Sequence, residues 1–115
     1  MADWTIYHNP RCTKSRQTLQ LMQEQGIEPR VVEYLKDVPT ERELEMLLMK
    51  LGMQAEDLVR KGESVYKEKF KGLKLNEHEW VKVMTEHPKL IERPIVVRDH
   101  KAVLGRPPEN VKDLL

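Results

Sequence analysis

The sequence lacks the features that would place the protein in a membrane or outside a cell. Its 115 residues include one cysteine, which excludes an internal disulfide. No apolar run approaches the roughly 20 residues that a helix needs to cross a bilayer. The first residues do not combine a basic segment with an apolar core, so we expect no secretory signal. Together these absences predict a cytoplasmic protein whose thiol stays reduced.

The chain also lacks an excess of charge of either sign. Lysine and arginine together number 20, and aspartate and glutamate 19, which leaves a formal net charge of +1. This balance argues against nucleic acid or a membrane surface as a partner. Hydrophobic residues make up 39% of the chain and charged residues 34%, as is typical of a globular protein. We therefore expect a single domain, residues 1–115, in which any functional charge is local.

The first third of the sequence has the pattern of a strand, a helix and a second strand. Residues 4–7 alternate as a short strand and run into an Asn-Pro turn signal. From Thr13 the apolar positions recur with helical spacing until Gly26, which supplies a C-terminal stop. Residues 30–34 are predicted to form the next strand. This order is that of a βαβ unit, which predicts parallel strands joined by a right-handed crossover.

The middle of the chain, from about residue 40 to residue 88, is predicted to form a helical insertion. Thr40 and Asn76 are each followed three residues later by glutamate, which is the spacing of a capping box at a helix start. Three methionines are expected to pack within the first of these helices: Met46, Met49 and Met53.

The last part of the chain returns to strands. Residues 95–98 and 102–104 are strand-like, and the Asp-His dipeptide between them predicts a tight hairpin. Two consecutive prolines, at positions 107 and 108, open a last helix. The order β-α-β, helical insertion, β-β-α predicts a small α/β fold with a mixed sheet.

Cys12 lies where the first strand gives way to the first helix. Backbone N–H groups at a helix N-terminus have no partner within the helix, and the helix dipole favours negative charge there. A thiolate is stabilised in such a place, which favours a nucleophilic thiol over a buried apolar one. Ser15 occupies the position of the second cysteine of a Cys-x-x-Cys site. A second thiol must therefore come from outside the chain.

Four fragments spread along the chain resemble one known family. They are IYHNPRC followed by SR near the start, LVRKGE in the middle, and ERPIVV and LGRPPE near the end. The combination resembles the glutaredoxin-coupled arsenate reductases, a family that also contains the Spx-type transcription regulators. The resemblance implies a thioredoxin- or glutaredoxin-like mixed sheet with a helical insertion between its halves. It also implies that the Arg93-Pro94 bond is cis.

The resemblance further implies an activity and a set of site residues. The activity is glutathione- and glutaredoxin-dependent reduction of arsenate to arsenite through a covalent adduct on the catalytic Cys12. His8 helps this thiol to ionise, and Ser15 is placed to hydrogen-bond the thiolate. The planar forks of three arginines bind the oxyanion: Arg60, Arg93 and Arg106. The implied partners are arsenate or a similar oxyanion, glutathione and glutaredoxin, without bound cofactor, metal, nucleic acid or membrane.

Two other functions stay open at this point. Arsenate reductases of this family carry a Gly-Thr pair after the cysteine, whereas this chain has Thr13-Lys14, which brings a new charge to the anion site. A general glutathione-dependent thiol reductase is therefore one alternative. The other is a regulator of the Spx type that binds RNA polymerase, although such regulators usually carry the second cysteine that Ser15 replaces.

Overall fold

The computed structural model describes residues 3–115, so the first two residues of the expected domain lie outside the described part of the chain. The chain divides into two compact units. One, the sheet unit, comprises residues up to 37 together with residues 93–115. The other, the helical unit, comprises residues 38–92.

The sheet unit is built on a four-stranded mixed sheet. Its elements are β1 Trp4–His8, α1 Thr13–Glu24, β2 Arg30–Glu33, β3 Ile95–Arg98, β4 Lys101–Leu104 and a closing 3-10 helix Pro108–Leu114. The strands lie in the order β2-β1-β3-β4, with β1 and β2 parallel and the other neighbours antiparallel. The parallel pair is joined through α1, as the βαβ pattern predicted, and the α/β fold class is confirmed.

Apolar side chains from α1, the sheet and the closing helix form the core of this unit. Ile6 on β1 and Val96 on β3 are fully buried, as is Met22 on α1. Val111 and Leu114 of the closing helix join the same cluster. Because α1 buries one face against the sheet, the residue at its N-terminus is held at one end of β1.

The helical unit contains three α-helices and two short 3-10 segments. Both predicted capping boxes are present, with the Thr40 and Asn76 side chains accepting the N–H groups of Glu43 and Glu79. The elements are α2 Glu41–Leu51, the 3-10 segment Ala55–Leu58, α3 Ser64–Lys69, α4 Glu77–Glu86 and the 3-10 segment Pro88–Leu90.

The prediction that the methionines of α2 pack inward is wrong for two of them. Met46 is 51% exposed and Met49 is 81% exposed. The buried positions of the helix are leucines 44, 47 and 48. With about 100° of rotation per residue, positions 46 and 49 fall on the opposite side of the helix from these leucines.

A tight contact joins α1 to the end of β4, and we call it the Thr18–Gly105 joint. The fully buried Thr18 hydroxyl lies 2.6 Å from the Gly105 carbonyl oxygen and 2.9 Å from the Lys14 carbonyl oxygen. Its single proton can be donated to either of these acceptors. A Cβ atom at position 105 would lie 2.5 Å from Thr18 Cγ2 and 3.1 Å from Pro94 Cγ. Only glycine therefore allows this approach.

Within residues 3–115, no helix combines the length and the apolar character needed to cross a membrane.

Gly105→Ala is expected to lower the free energy of unfolding by about 1–3 kcal/mol, because the added methyl group overpacks a buried joint. Gly62→Ala is the matched control, since no heavy atom lies within 4 Å of a Cβ built there. Its stability is expected to stay within about 1 kcal/mol of wild type. Urea denaturation measures both. Equal stability of the two variants would contradict the steric role of the joint.

Candidate active site

The loop after β1 places Cys12 at the N-cap of α1. Its backbone is extended, with φ −93° and ψ 121°, and its carbonyl accepts the Arg16 N–H at 3.0 Å. The thiol is free and half-buried. The first turn of α1 contains no acidic residue. The N–H groups of this turn and the helix dipole can therefore stabilise a thiolate or a bound oxyanion without opposition from a carboxylate in the same turn.

Short-range hydrogen bonds fix the shape of this loop. The Arg16 guanidinium donates to the Pro10 carbonyl at 2.9 Å and to the Thr13 hydroxyl at 3.2 Å. The Arg11 N–H donates to the Asn9 side chain at 3.0 Å. Arg16 is thus occupied in bracing the loop around Cys12.

His8 and Ser15 form a buried polar pair beside the thiol-bearing turn. His8 Nδ1 lies 2.6 Å from Ser15 Oγ, and the Asn9 N–H donates to the same oxygen at 3.1 Å. Which of the two groups donates to the other depends on the histidine tautomer. Ser15 is fully buried and His8 is 6% exposed. The pair therefore links the end of β1 to the first turn of α1.

Burial lowers the pKa of His8 below its ordinary value near 6.5. The positive charge of Arg16 acts in the same direction, while Glu33 opposes it. Near neutral pH, His8 is consequently an uncharged hydrogen-bonding partner of Ser15. It reaches the first turn of α1 through a hydrogen bond rather than through a positive charge of its own.

Arg93 and Arg106 lie at the same end of the sheet as the Cys12 loop. Tyr7 on β1 pairs with Ile95 on β3, and Ile95 pairs with Leu104 on β4. The Gly105 N–H donates to the Pro94 carbonyl at 2.9 Å, which extends the β3–β4 ladder by one pair. Arg93 and Arg106 each lie one residue beyond this added pair. Sequence reasoning alone could not establish that they lie at the same end of the sheet.

Each of these two arginines precedes a cis proline. The Arg93-Pro94 bond is cis, as the family resemblance implied, and the Arg106-Pro107 bond is cis as well. The second one was not anticipated, because a cis bond has no signature in a single sequence beyond the proline itself.

Arg93 carries buried guanidinium nitrogens that lack a partner. Among residues 3–115, its Nε and Nη1 atoms are inaccessible to solvent and make no hydrogen bond. A buried donor without an acceptor is costly, and a cationic one more so. An oxyanion is a ligand that would satisfy this group. Arg106, by contrast, is exposed.

Arg60 belongs to the helical unit and already has an anionic partner there. Its backbone N–H donates to the Leu90 carbonyl at 2.7 Å. Its guanidinium forms an ion pair with Glu63, in which both side chains are about a quarter exposed. The prediction that Arg60 joins Arg93 and Arg106 in binding an oxyanion stays a prediction.

Residues 3–115 contain no group of three or more histidine, cysteine, aspartate or glutamate side chains arranged to hold a metal ion.

A mixed sheet of this order, with a cysteine at the start of its first helix, defines a protein with a thioredoxin-like fold. The match to the ArsC family extends over residues 7–114. The chain belongs to the ArsC family.

Individual relatives agree with this assignment. The arsenate reductase of Haemophilus influenzae is 42% identical and aligns with 96% of this chain and 97% of its own length. The uncharacterised protein YfgD of Escherichia coli is 48% identical and aligns with 96% and 94% of the two chains. Among solved structures, the arsenate reductase from Vibrio cholerae superposes with a TM-score of 0.94. It is 46% identical and covers 98% of both chains.

Acidification is expected to weaken the stabilising contribution of His8. Because its pKa is lowered in the folded state, the unfolded chain binds a proton first as the pH falls below about 6.5. The difference in unfolding free energy between wild type and His8→Gln should therefore be constant above pH 7 and shrink between pH 6.5 and pH 5. Urea titrations across this range measure it.

His100→Gln is the matched control for this experiment, because His100 is exposed in the β3–β4 hairpin. A His8→Gln difference that does not change with pH, or that changes as much as the control, would contradict the role of burial.

Proposed function

We propose that this protein reduces arsenate to arsenite by thiol chemistry at Cys12. The observation that carries the proposal is that the buried Nε and Nη1 atoms of Arg93 have no hydrogen-bond partner and lie at the same end of the sheet as the free thiol of Cys12. Arsenate is a tetrahedral anion at neutral pH, and guanidinium groups offer the paired donors that suit its oxygens. Several relatives are named arsenate reductases, which supports the same activity.

The first step is attack of the Cys12 thiolate on arsenic(V). A sulfur–arsenic bond forms, and one arsenic oxygen leaves as water after taking up protons. The N–H groups of the first turn of α1, with Arg93 and Arg106, hold the remaining oxygens and stabilise the negative charge on them. Arg60 is proposed to contribute a third guanidinium.

The second step needs a thiol from solution, because the chain has only one cysteine. Glutathione is proposed to attack the Cys12 sulfur of the adduct. A disulfide forms between the two sulfurs, and the sulfur–arsenic electron pair goes to arsenic, which becomes arsenic(III). The thiol proton passes to an oxygen of the departing arsenite. Each sulfur has then lost one electron and arsenic has gained two.

The third step restores the thiol. A glutaredoxin thiolate attacks the glutathione sulfur of the mixed disulfide, and Cys12 leaves as a thiolate. No bound cofactor is needed, since glutathione acts as a co-substrate. A cytoplasmic setting, in which glutathione is kept reduced, suits this cycle.

His8 and Ser15 are proposed to assist the thiol through the hydrogen bond between them. When the His8 Nδ1–H donates to Ser15 Oγ, the serine hydroxyl proton is available for donation to the Cys12 sulfur. A donor at this place favours the thiolate over the thiol.

Purified protein with arsenate, glutathione, glutaredoxin, glutathione reductase and NADPH is expected to consume NADPH. Cys12→Ser should abolish this turnover, because it removes the nucleophile. Arg93→Gln should lower kcat/KM for arsenate by about 100-fold, as expected for loss of one oxyanion donor. Arg30→Gln, which changes an exposed arginine on β2, is the matched control and should retain activity.

Absence of arsenate turnover with competent coupling proteins would overturn the proposal. Rapid reduction of a glutathione mixed disulfide under the same conditions would then favour the general thiol reductase. Recovery of RNA polymerase with a tagged form of the protein, without any turnover, would favour the regulator.

A further inference from the structure

An open groove lies between α2 and α4, and we call it the α2–α4 groove. Its volume is about 580 Å³. The residues that line it all belong to the helical unit, and they include Glu45, Leu48, Met49, Met53, Glu77 and Val81. Because Cys12 and Arg93 belong to the sheet unit, the proposed reaction gives this groove no role.

The local structure of α2 directs one of its faces into the α2–α4 groove. Glu45, Leu48 and Met49 fall within about 100° of one another around the helix. Gly52 ends the helix with φ 67°, and the Met53 N–H then donates to the Leu48 carbonyl at 3.1 Å. This C-terminal turn folds the chain back, so that Met53 lines the groove as well.

The floor of the α2–α4 groove is apolar and continues into an exposed side chain. Leu48 and Val81 are buried, whereas Met49 is 81% exposed. Methionine is flexible and polarisable, so it adapts to the shape of a partner. Exposed and buried apolar side chains here form one continuous apolar surface, which is typical of an interaction site.

Carboxylates border this apolar surface on both helices. Glu45 on α2 and Glu77 on α4 line the groove, and the Glu77 side chain is held in place because it accepts the Ala55 N–H at 2.8 Å. Glu41 adds a third carboxylate, with its Oε1 atom 3.7 Å from Nε2 of the groove residue His78. In the part of the chain that the structure describes, no lysine or arginine lines the groove. Its rim is therefore negative and suits a cationic ligand.

The openness of the α2–α4 groove favours a peptide over a small molecule. Small-molecule sites enclose most of the ligand surface, whereas the side chains of Met49 and His78 are largely exposed here. The stretch of α2 from Glu45 to Gly52 is about 10 Å long, which is the length of about two helical turns. An amphipathic helix laid in such a groove places apolar side chains on the floor and basic ones against the rim.

We propose that the α2–α4 groove binds a partner protein through a helical segment whose apolar side chains are flanked by lysine or arginine. Contact with Leu48, Met49 and Val81 supplies the apolar part of the binding free energy. Glu45 and Glu77 select partners of positive charge. Anionic lipid is disfavoured, because its charge has the same sign as that of the rim. Binding of this kind does not require the reaction at Cys12.

The test uses a fluorescently labelled amphipathic helical peptide of alanine, leucine and lysine. Its binding to the full chain is measured by fluorescence anisotropy and compared with that of a peptide in which glutamate replaces every lysine. The lysine peptide is expected to bind and to shift the amide NMR signals of residues that line the groove. The glutamate peptide should bind at least about tenfold more weakly, because the rim repels it.

Met49→Gln is expected to raise the Kd of the lysine peptide by about five- to tenfold, because part of the apolar contact is lost. Met46→Gln is the matched control, since it makes the same change in the same helix at a residue that is 51% exposed and does not line the groove. Its Kd should stay within about twofold of wild type.

Glu45→Lys should raise the Kd of the lysine peptide by about three- to tenfold, because attraction is replaced by repulsion. Glu86→Lys makes the same charge change at an exposed residue of α4 outside the groove, and it should leave the Kd unchanged. Urea denaturation of all four variants confirms that the fold is retained.

Equal effects of Met49→Gln and Met46→Gln, or no binding of the lysine peptide, would overturn the proposal. Self-association of the wild type that Met49→Gln abolishes, measured by sedimentation, would instead assign the groove to a second copy, whose exposed Leu73 lies between Lys71 and Lys74. Binding of tetrabutylammonium without binding of the peptide would assign it to a small cation. Either result would remove the partner protein. Arsenate turnover is measured separately, so none of these outcomes decides the proposed function.

Discussion

The geometry of the candidate site depends on the close approach of α1 to the end of β4 at the Thr18–Gly105 joint. Cys12 is carried by the first turn of α1, whereas Arg106 and the Arg93-Pro94 segment are carried by the β3–β4 ladder. These two parts of the sheet unit meet where a threonine side chain packs on a glycine that has no room for a Cβ atom. Buried interiors resist displacement, so a contact this tight sets the spacing between thiol and guanidinium groups.

The site concentrates positive potential locally in a chain that is almost neutral overall. The formal net charge of +1 gives no sign of an anion site. Instead, the first turn of α1 is free of acidic residues, and Arg93 has buried donors with no partner among residues 3–115. The free-energy cost of burying a donor without an acceptor is removed when a bound ligand supplies the acceptor. Unsatisfied buried donors are therefore retained at functional sites. The Arg93 side chain therefore lowers the stability of the unliganded protein and favours the binding of an anion.

Much of the fold followed from local signals, and the exceptions have physical reasons. The strands, the capping boxes and the βαβ order are set by residues close together in sequence, so the pattern alone predicted them. The prediction for Met46 and Met49 was wrong because it followed from the apolar character of methionine. Their positions around the helix place them on its exposed side instead. The placement of Arg93 and Arg106 at one end of the sheet and the approach of Thr18 to Gly105 both depend on segments that are distant in the sequence. A single sequence does not encode them in any local pattern.

The proposed reaction needs an external thiol, and the enclosure of Ser15 explains this need more fully than the count of cysteines does. The side chain at this position is fully buried and engaged with His8 and the Asn9 N–H. A cysteine there would face the same enclosure, out of reach of a partner that approaches from solvent. Serine occupies this position instead, and its hydroxyl group can donate a hydrogen bond without being oxidised.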